Sequence, residues 1–334
     1  MHFNLSRFGR IHALAMLLLM AGSAAHAVGI QDVIAPDSDD KPLTVRIWYP
    51  NEPGNNGKVA GHDLPLIVFS HGTGGSLTGH ADTAIALAEA GFVAAAVMHT
   101  GDNYQDQSYV SHGRHLVMLI GRPRHLSRVI DYMLTIWPEH GRIDPTRIGV
   151  FGHSAGGFTA LVVAGAQPDV TRGAAHCRER PQAWDCLYLK KNGVDLEKRS
   201  VRTPPVWTHD ARVKAAVIAA PAIGYLFEPN GLSQVKIPIQ LWEAGQDSIV
   251  EDSPSIVRRL LPRAPDYHAV PAASHVAFLA PCDWRMQGLI TVMSWFGTLN
   301  ICVDPVGFDR TAFHKQFNAG VVGFFARTLQ LRQH

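Results

Sequence analysis

The stretch Ile148-Gly149-Val150-Phe151-Gly152-His153-Ser154-Ala155-Gly156-Gly157-Phe158-Thr159-Ala160-Leu161 decides how this chain is read. A short apolar run leads into Gly152-His153-Ser154-Ala155-Gly156, and small residues with a helical character follow. Strand, tight turn carrying a serine, then helix is the setting of a nucleophile elbow. The turn is sharp enough to strain the serine backbone, and its flanks must be small, which glycine at both outer positions satisfies.

Working outward, short apolar runs alternate with amphipathic segments from about residue 42 to the end. Strands are expected at Leu43–Tyr49, Leu64–Ser70, Phe92–Met98, Ile148–Gly152, Ala215–Ala220, Ile237–Trp242 and Tyr267–Val270. Several are apolar throughout, as strands covered on both faces of a parallel sheet should be. Helices are expected at Asp82–Ala90, at Pro123–Trp137 with Pro123 in its first turn, and at Phe313–Leu329. This alternation implies a single α/β domain with a mostly parallel, doubly wound sheet flanked by helices. Two segments break the rhythm, 100–121 and 167–212, and both fall where loops at the carboxyl ends of parallel strands would form a rim or lid around a site.

A hydroxyl becomes a nucleophile only when a base takes its proton, and the base needs an orienting acid. In this architecture the chain order is serine, acid, histidine. His275 follows the last expected strand and is the histidine selected. His314 falls in the final helix, His268 within a strand and His334 at the terminus. Asp247 lies beyond a glycine turn after Ile237–Trp242 and is preferred to Glu243, at the strand end, and to Asp252, which resembles a helix cap. The negative oxygen of the transition state needs preorganised donors. The amide of Ala155 is one. The other is assigned to Thr73 in His71-Gly72-Thr73-Gly74-Gly75, with Gly72 as the alternative.

The amino terminus reads as an export signal over residues 1–27. Arg7 and Arg10 precede the apolar Ile11–Met20, and Ala25-His26-Ala27 fits a small-x-small cleavage site. The mature domain is then 28–334, periplasmic or secreted, without a stable membrane anchor. Export fits the four cysteines. Of three possible connectivities, Cys177 with Cys186 and Cys282 with Cys302 closes the shortest loops and is preferred. A formal charge of +2 gives no reason to expect nucleic acid as a partner. His112, His115, Asp102 and Asp106 share a polar stretch, but such clusters arise readily in a chain with 18 histidines, and no metal or organic cofactor is expected.

These residues resemble the α/β-hydrolase superfamily, in particular its dienelactone-hydrolase-like and platelet-activating-factor-acetylhydrolase-like bacterial branch. The likeness rests on Val45-Arg46-Ile47-Trp48-Tyr49-Pro50, Phe69-Ser70-His71-Gly72, the elbow, Gly245-Gln246-Asp247, Ser274-His275-Val276-Ala277-Phe278, and Phe308-Asp309-Arg310 with His314. It implies the α/β-hydrolase fold with loop insertions near the active site, and cofactor-free hydrolysis of a small-molecule carboxylic ester through an acyl-serine. Short-chain or lactone-like esters are the expected substrates. Dienelactone hydrolases proper use a cysteine nucleophile, whereas serine stands at this elbow. Acyl transfer or amide hydrolysis could run on the same three residues, and a noncatalytic binding protein would be expected to have lost one of them. Oligomeric state is not legible in the sequence.

Overall fold

The computed structural model describes residues 27–52, 57–111, 113–196, 205–294 and 299–329. The expected leader therefore lies outside the described residues, apart from Ala27, which opens the first strand.

The described strands are β1 (Ala27–Ala35), β2 (Leu43–Asn51), β3 (Leu64–Ser70), β4 (Val93–Val97), β5 (Ile143–His153), β6 (Val213–Ala219), β7 (Ile239–Ala244) and β8 (Asp266–Val270). They form one sheet in the order β1-β2-β4-β3-β5-β6-β7-β8. β1 and β2 run antiparallel to their neighbours, and the rest, from β4 to β8, pair in parallel. β3 and β4 are buried at every residue, as the unbroken apolar runs require. β1 is the strand that sequence patterning missed. Most of its residues remain accessible, with no continuous apolar run, and its identity rests on nine residues of register against β2.

Helices cover both faces. α1 (Ala81–Glu89) and α9 (Arg310–Thr328) pack together on one side, above a core containing Phe151, Trp242, Phe278, Phe317 and Phe325. α3 (His115–Thr135) and α4 (Ala155–Val163) lie on the other, over Val68, Ile130, Met133 and Phe158. α3 corrects one boundary. Pro123 is inside the helix rather than in its first turn; its missing N–H removes one i→i−4 bond, and the buried face before it (Met118, Leu119, Gly121, Arg122) keeps the helix going.

The two segments that break the rhythm each contain short helices. α2 (Ser108–Ser111) and the start of α3 arise from 100–121, while α5 (Arg172–Glu179) and α6 (Trp184–Lys191) arise from 167–212. Disulfides join Cys177 to Cys186 and Cys282 to Cys302, with Cα separations of 5.5 and 5.7 Å, the nearest-neighbour pattern. Among the described residues no helix is long and apolar enough to cross a membrane.

Candidate active site

β5 ends at His153 and α4 begins at Ala155, leaving Ser154 alone at the corner with φ 56° and ψ −121°. That conformation is strained for a residue with a Cβ. It is held from both sides: the Ser154 amide donates to Ala219 O (3.0 Å), and the Ser154 carbonyl accepts from Gly157, Phe158 and Ala222. Steric limits explain the flanking glycines. A Cβ on Gly152 would sit 2.0 Å from Gly156 O, and one on Gly156 would sit 1.9 Å from Ser70 O. No side chain fits either place.

β3 delivers the loop His71–Gly75 next to this corner. A Cβ on Gly72 would lie 3.2 Å from the Ser154 Cβ, so backbone and candidate nucleophile meet at van der Waals distance. The loop closes with Gly75 N donating to Gly72 O (3.0 Å), and Gly74 N donates to Asp102 Oδ1 (2.8 Å). Those bonds commit the amides of Gly74 and Gly75, while Thr73, just before them, faces a cavity with Ser154 and Ala155.

A buried ion pair sets the shape of this loop. Arg122, on the inner face of α3, pairs with Asp102 and donates to the carbonyl of His71; it also reaches Thr159 Oγ1 (3.2 Å) and Ser70 Oγ (3.3 Å). Both charged side chains are essentially inaccessible. Burial works against the charge on Arg122 and lowers its pKa, with Asp102 opposing that shift. Sequence reasoning missed Arg122, which stands just before the expected helix Pro123–Trp137 and is drawn into the core because α3 begins earlier, at His115. Asp102 is engaged by these bonds, and His112 of the same polar stretch lies outside the described residues.

On the opposite side, Asp247 and His275 meet. His275 Nδ1 is 2.7 Å from Asp247 Oδ2, and both side chains are buried. The other carboxylate oxygen accepts from the amides of Ile249 (2.8 Å) and Val250 (3.0 Å). Burial favours the neutral acid, yet the bonds from His275 and the two amides outweigh it and hold the Asp247 carboxyl below the usual range. A carboxylate at Nδ1 fixes the proton there and turns Nε2 into the basic nitrogen. The two rival acids are engaged elsewhere. Glu243 accepts from Ser255 and Tyr267, while Asp252 pairs with Arg180 at the start of α7 (Ser253–Leu260). His275 also packs on the elbow itself: its ring lies 4.7 Å from that of His153, whose Nε2 donates to the His275 carbonyl (3.1 Å).

Above Ser154 opens a cavity of about 770 Å³, within the size range of small-molecule sites. Thr73, Ser154 and Ala155 form its floor, and both irregular segments contribute walls, Leu116 and Leu119 from one, Trp184 and Tyr188 from the other. Trp184 stacks on Tyr188 (4.9 Å), and His176 on Tyr225 (3.6 Å), whose hydroxyl donates to Asp185 (2.6 Å). His176, Asp185 and Cys186 are close enough to suggest a metal site. Cys186 sulfur is already bonded to Cys177, so only two ligands remain, and Asp185 is held by Tyr225.

Parallel strands leading to an elbow at Ser154, with Asp247 and His275 on loops after β7 and β8, make the α/β-hydrolase fold. In sequence, residues 54–116, which span β3, the His71–Gly75 loop and β4, are similar to the family model of platelet-activating factor acetylhydrolase, isoform II. No curated protein matches the chain in sequence. Among solved structures, a ferulic acid esterase from Streptomyces cinnamoneus superposes with a TM-score of 0.60 at 20% identity, over 93% of this chain and 94% of that one. That likeness extends the shared fold beyond the segment the family model matches.

Proposed function

We propose that the chain is an exported serine esterase that cleaves carboxylic esters with short or lactone-like acyl parts through an acyl-serine intermediate. The observation that carries this reading is the buried 2.7 Å contact between His275 and Asp247 beside an elbow serine with φ 56°. His275 takes the Ser154 proton as Oγ attacks the ester carbon. Asp247 keeps the imidazole in the tautomer that can accept it. The amides of Ala155 and Thr73 receive the negative oxygen. His275 then gives the proton to the departing alkoxide, and water activated by the same ring releases the acid. No cofactor enters these steps. The acetylhydrolase match and the esterase neighbour support ester chemistry, and two disulfides suit an oxidising compartment.

Hydrolysis of p-nitrophenyl esters from acetyl to palmitoyl, wild type beside Ser154→Ala, tests the reading. Turnover should favour short acyl chains and fall by roughly a thousandfold or more in Ser154→Ala. A Ser154→Ala protein that kept most of its rate would refute it.

A further inference from the structure

His275 sits in a single 3₁₀ turn, His275–Phe278. A turn this short leaves carbonyls without partners inside the element. Here they are buried, so each needs a donor from elsewhere. Three histidines from three separate elements supply them. His153 Nε2 donates to His275 O (3.1 Å), His314 Nε2 to Ala277 O (2.8 Å), and His80 Nδ1 to Phe278 O (3.1 Å). All three are buried.

They differ in what stands behind them. Among the described residues His80 Nε2 and His153 Nδ1 meet no hydrogen-bond partner, which fits neutral rings with a single N–H. Burial pushes His80 down to about 4 and His153 well below its ordinary value. His314 differs in facing an acceptor on each side, so both its ring nitrogens donate as N–H: Nδ1 lies 2.5 Å from Asp82 Oδ2, which also accepts from Asn318 (2.7 Å). Thr83 donates in turn to Asn318 (2.7 Å). The Asp82–His314 pair thus ties the turn to α1 and α9, beside the aromatic cluster of Phe278, Phe313 and Phe317.

We propose that the Asp82–His314 pair is a positioning dyad for His275. Resting on the triad proposed above, it fixes the height of the 3₁₀ turn so that His275 Nδ1 stays on Asp247 and Nε2 is left to take the Ser154 proton. His314 touches no reacting atom; it acts through the Ala277 carbonyl. A displacement of about 1 Å at a catalytic group can cost about a hundredfold in rate, so losing the strut should be read in kcat rather than in substrate binding.

The test compares His314→Ala, His314→Gln and Asp82→Asn with wild type, each kcat normalised to the sites labelled by a fluorophosphonate so that unfolded protein is not counted. His314→Ala should lower kcat about 10- to 100-fold with KM within about twofold. His314→Gln, whose amide can still donate to Ala277 O, should recover most of that loss, and Asp82→Asn should fall between. A second readout needs no turnover: the Nδ1 proton of His275 on Asp247, followed by NMR, should persist in His314→Gln and exchange rapidly in His314→Ala. Per-site kcat in His314→Ala within twofold of wild type, or equal losses in the alanine and glutamine variants, would overturn the dyad. A wild type without Ser154-dependent ester turnover, but with the predicted NMR pattern, would instead remove the esterase reading and leave the dyad standing.

Discussion

Ser154, Ala155 and Thr73 reach the cavity from backbone turns that sterics leave no room to vary, whereas Trp184 and Tyr188 reach it from the short helix α6, tied to α5 by a disulfide. The floor is specified from within. Glycines at 152 and 156 leave under 2.1 Å for any added atom, and the Arg122–Asp102 pair is sealed in the core. The roof is specified by attachments: Cys177–Cys186, the ion pairs of Arg180 with Glu251 and Asp252, and aromatic stacking. A floor of this kind suits chemistry, which needs fixed geometry, and a roof of that kind can change shape between relatives while the floor stays.

This contrast can be broken from the floor side first. Gly156→Ala should yield no folded, active protein, because its Cβ would overlap Ser70 O; soluble, active material with a native melting curve would contradict the packing described. Arg122→Met strands the Asp102 carboxylate in a dry core and should cost about 3–5 kcal/mol in stability, with a larger drop in kcat than in substrate affinity because the Thr73 loop loses its anchor. Urea unfolding with matched kinetics measures both. A stable variant with unchanged kcat would remove Arg122 from the account.

Acid should act mainly on the floor. His71 is pushed down to about 3, His80 and His125 to about 4, and His99 and His153 well below their ordinary value, in each case chiefly by burial. Between those values and the unfolded value near 6.5, the unfolded chain binds protons that the folded one does not. Stability is therefore full above about pH 6.5 and lost as pH falls towards 4, each such ring contributing at most about 1.4 kcal/mol per pH unit. Thermal melts from pH 7 to 4 should show a steep fall; a flat profile would mean that these rings are solvated. The roof should respond least. Cys177→Ser with Cys186→Ser should cost about 2–3 kcal/mol, raise KM and leave kcat per folded site nearly unchanged. A comparable loss in kcat would show that roof and floor are one unit.

Legibility followed the same division. The parallel strands were readable because burial on both faces demands unbroken apolar runs such as Leu64–Ser70, and the elbow because its sterics admit few residues. The sequence order and loop positions also pointed to Asp247 and His275, which the fold brings to 2.7 Å. β1 was not readable, since an edge strand paired on one side carries no such run. Neither were Arg122 and Asp82. Their meaning lies in partners 51 and 232 residues away, and nothing local marks a buried arginine within a helix that also carries exposed ones. The short roof helices hold too few turns for periodicity to declare them.

The measurement that bears most directly on the central proposal is mass spectrometry of the protein quenched during p-nitrophenyl acetate turnover. An acetyl group on the peptide carrying Ser154, accumulating in a burst and absent from Ser154→Ala, is the predicted result. Steady turnover with no adduct at Ser154, or an adduct on another residue, would contradict the acyl-serine mechanism.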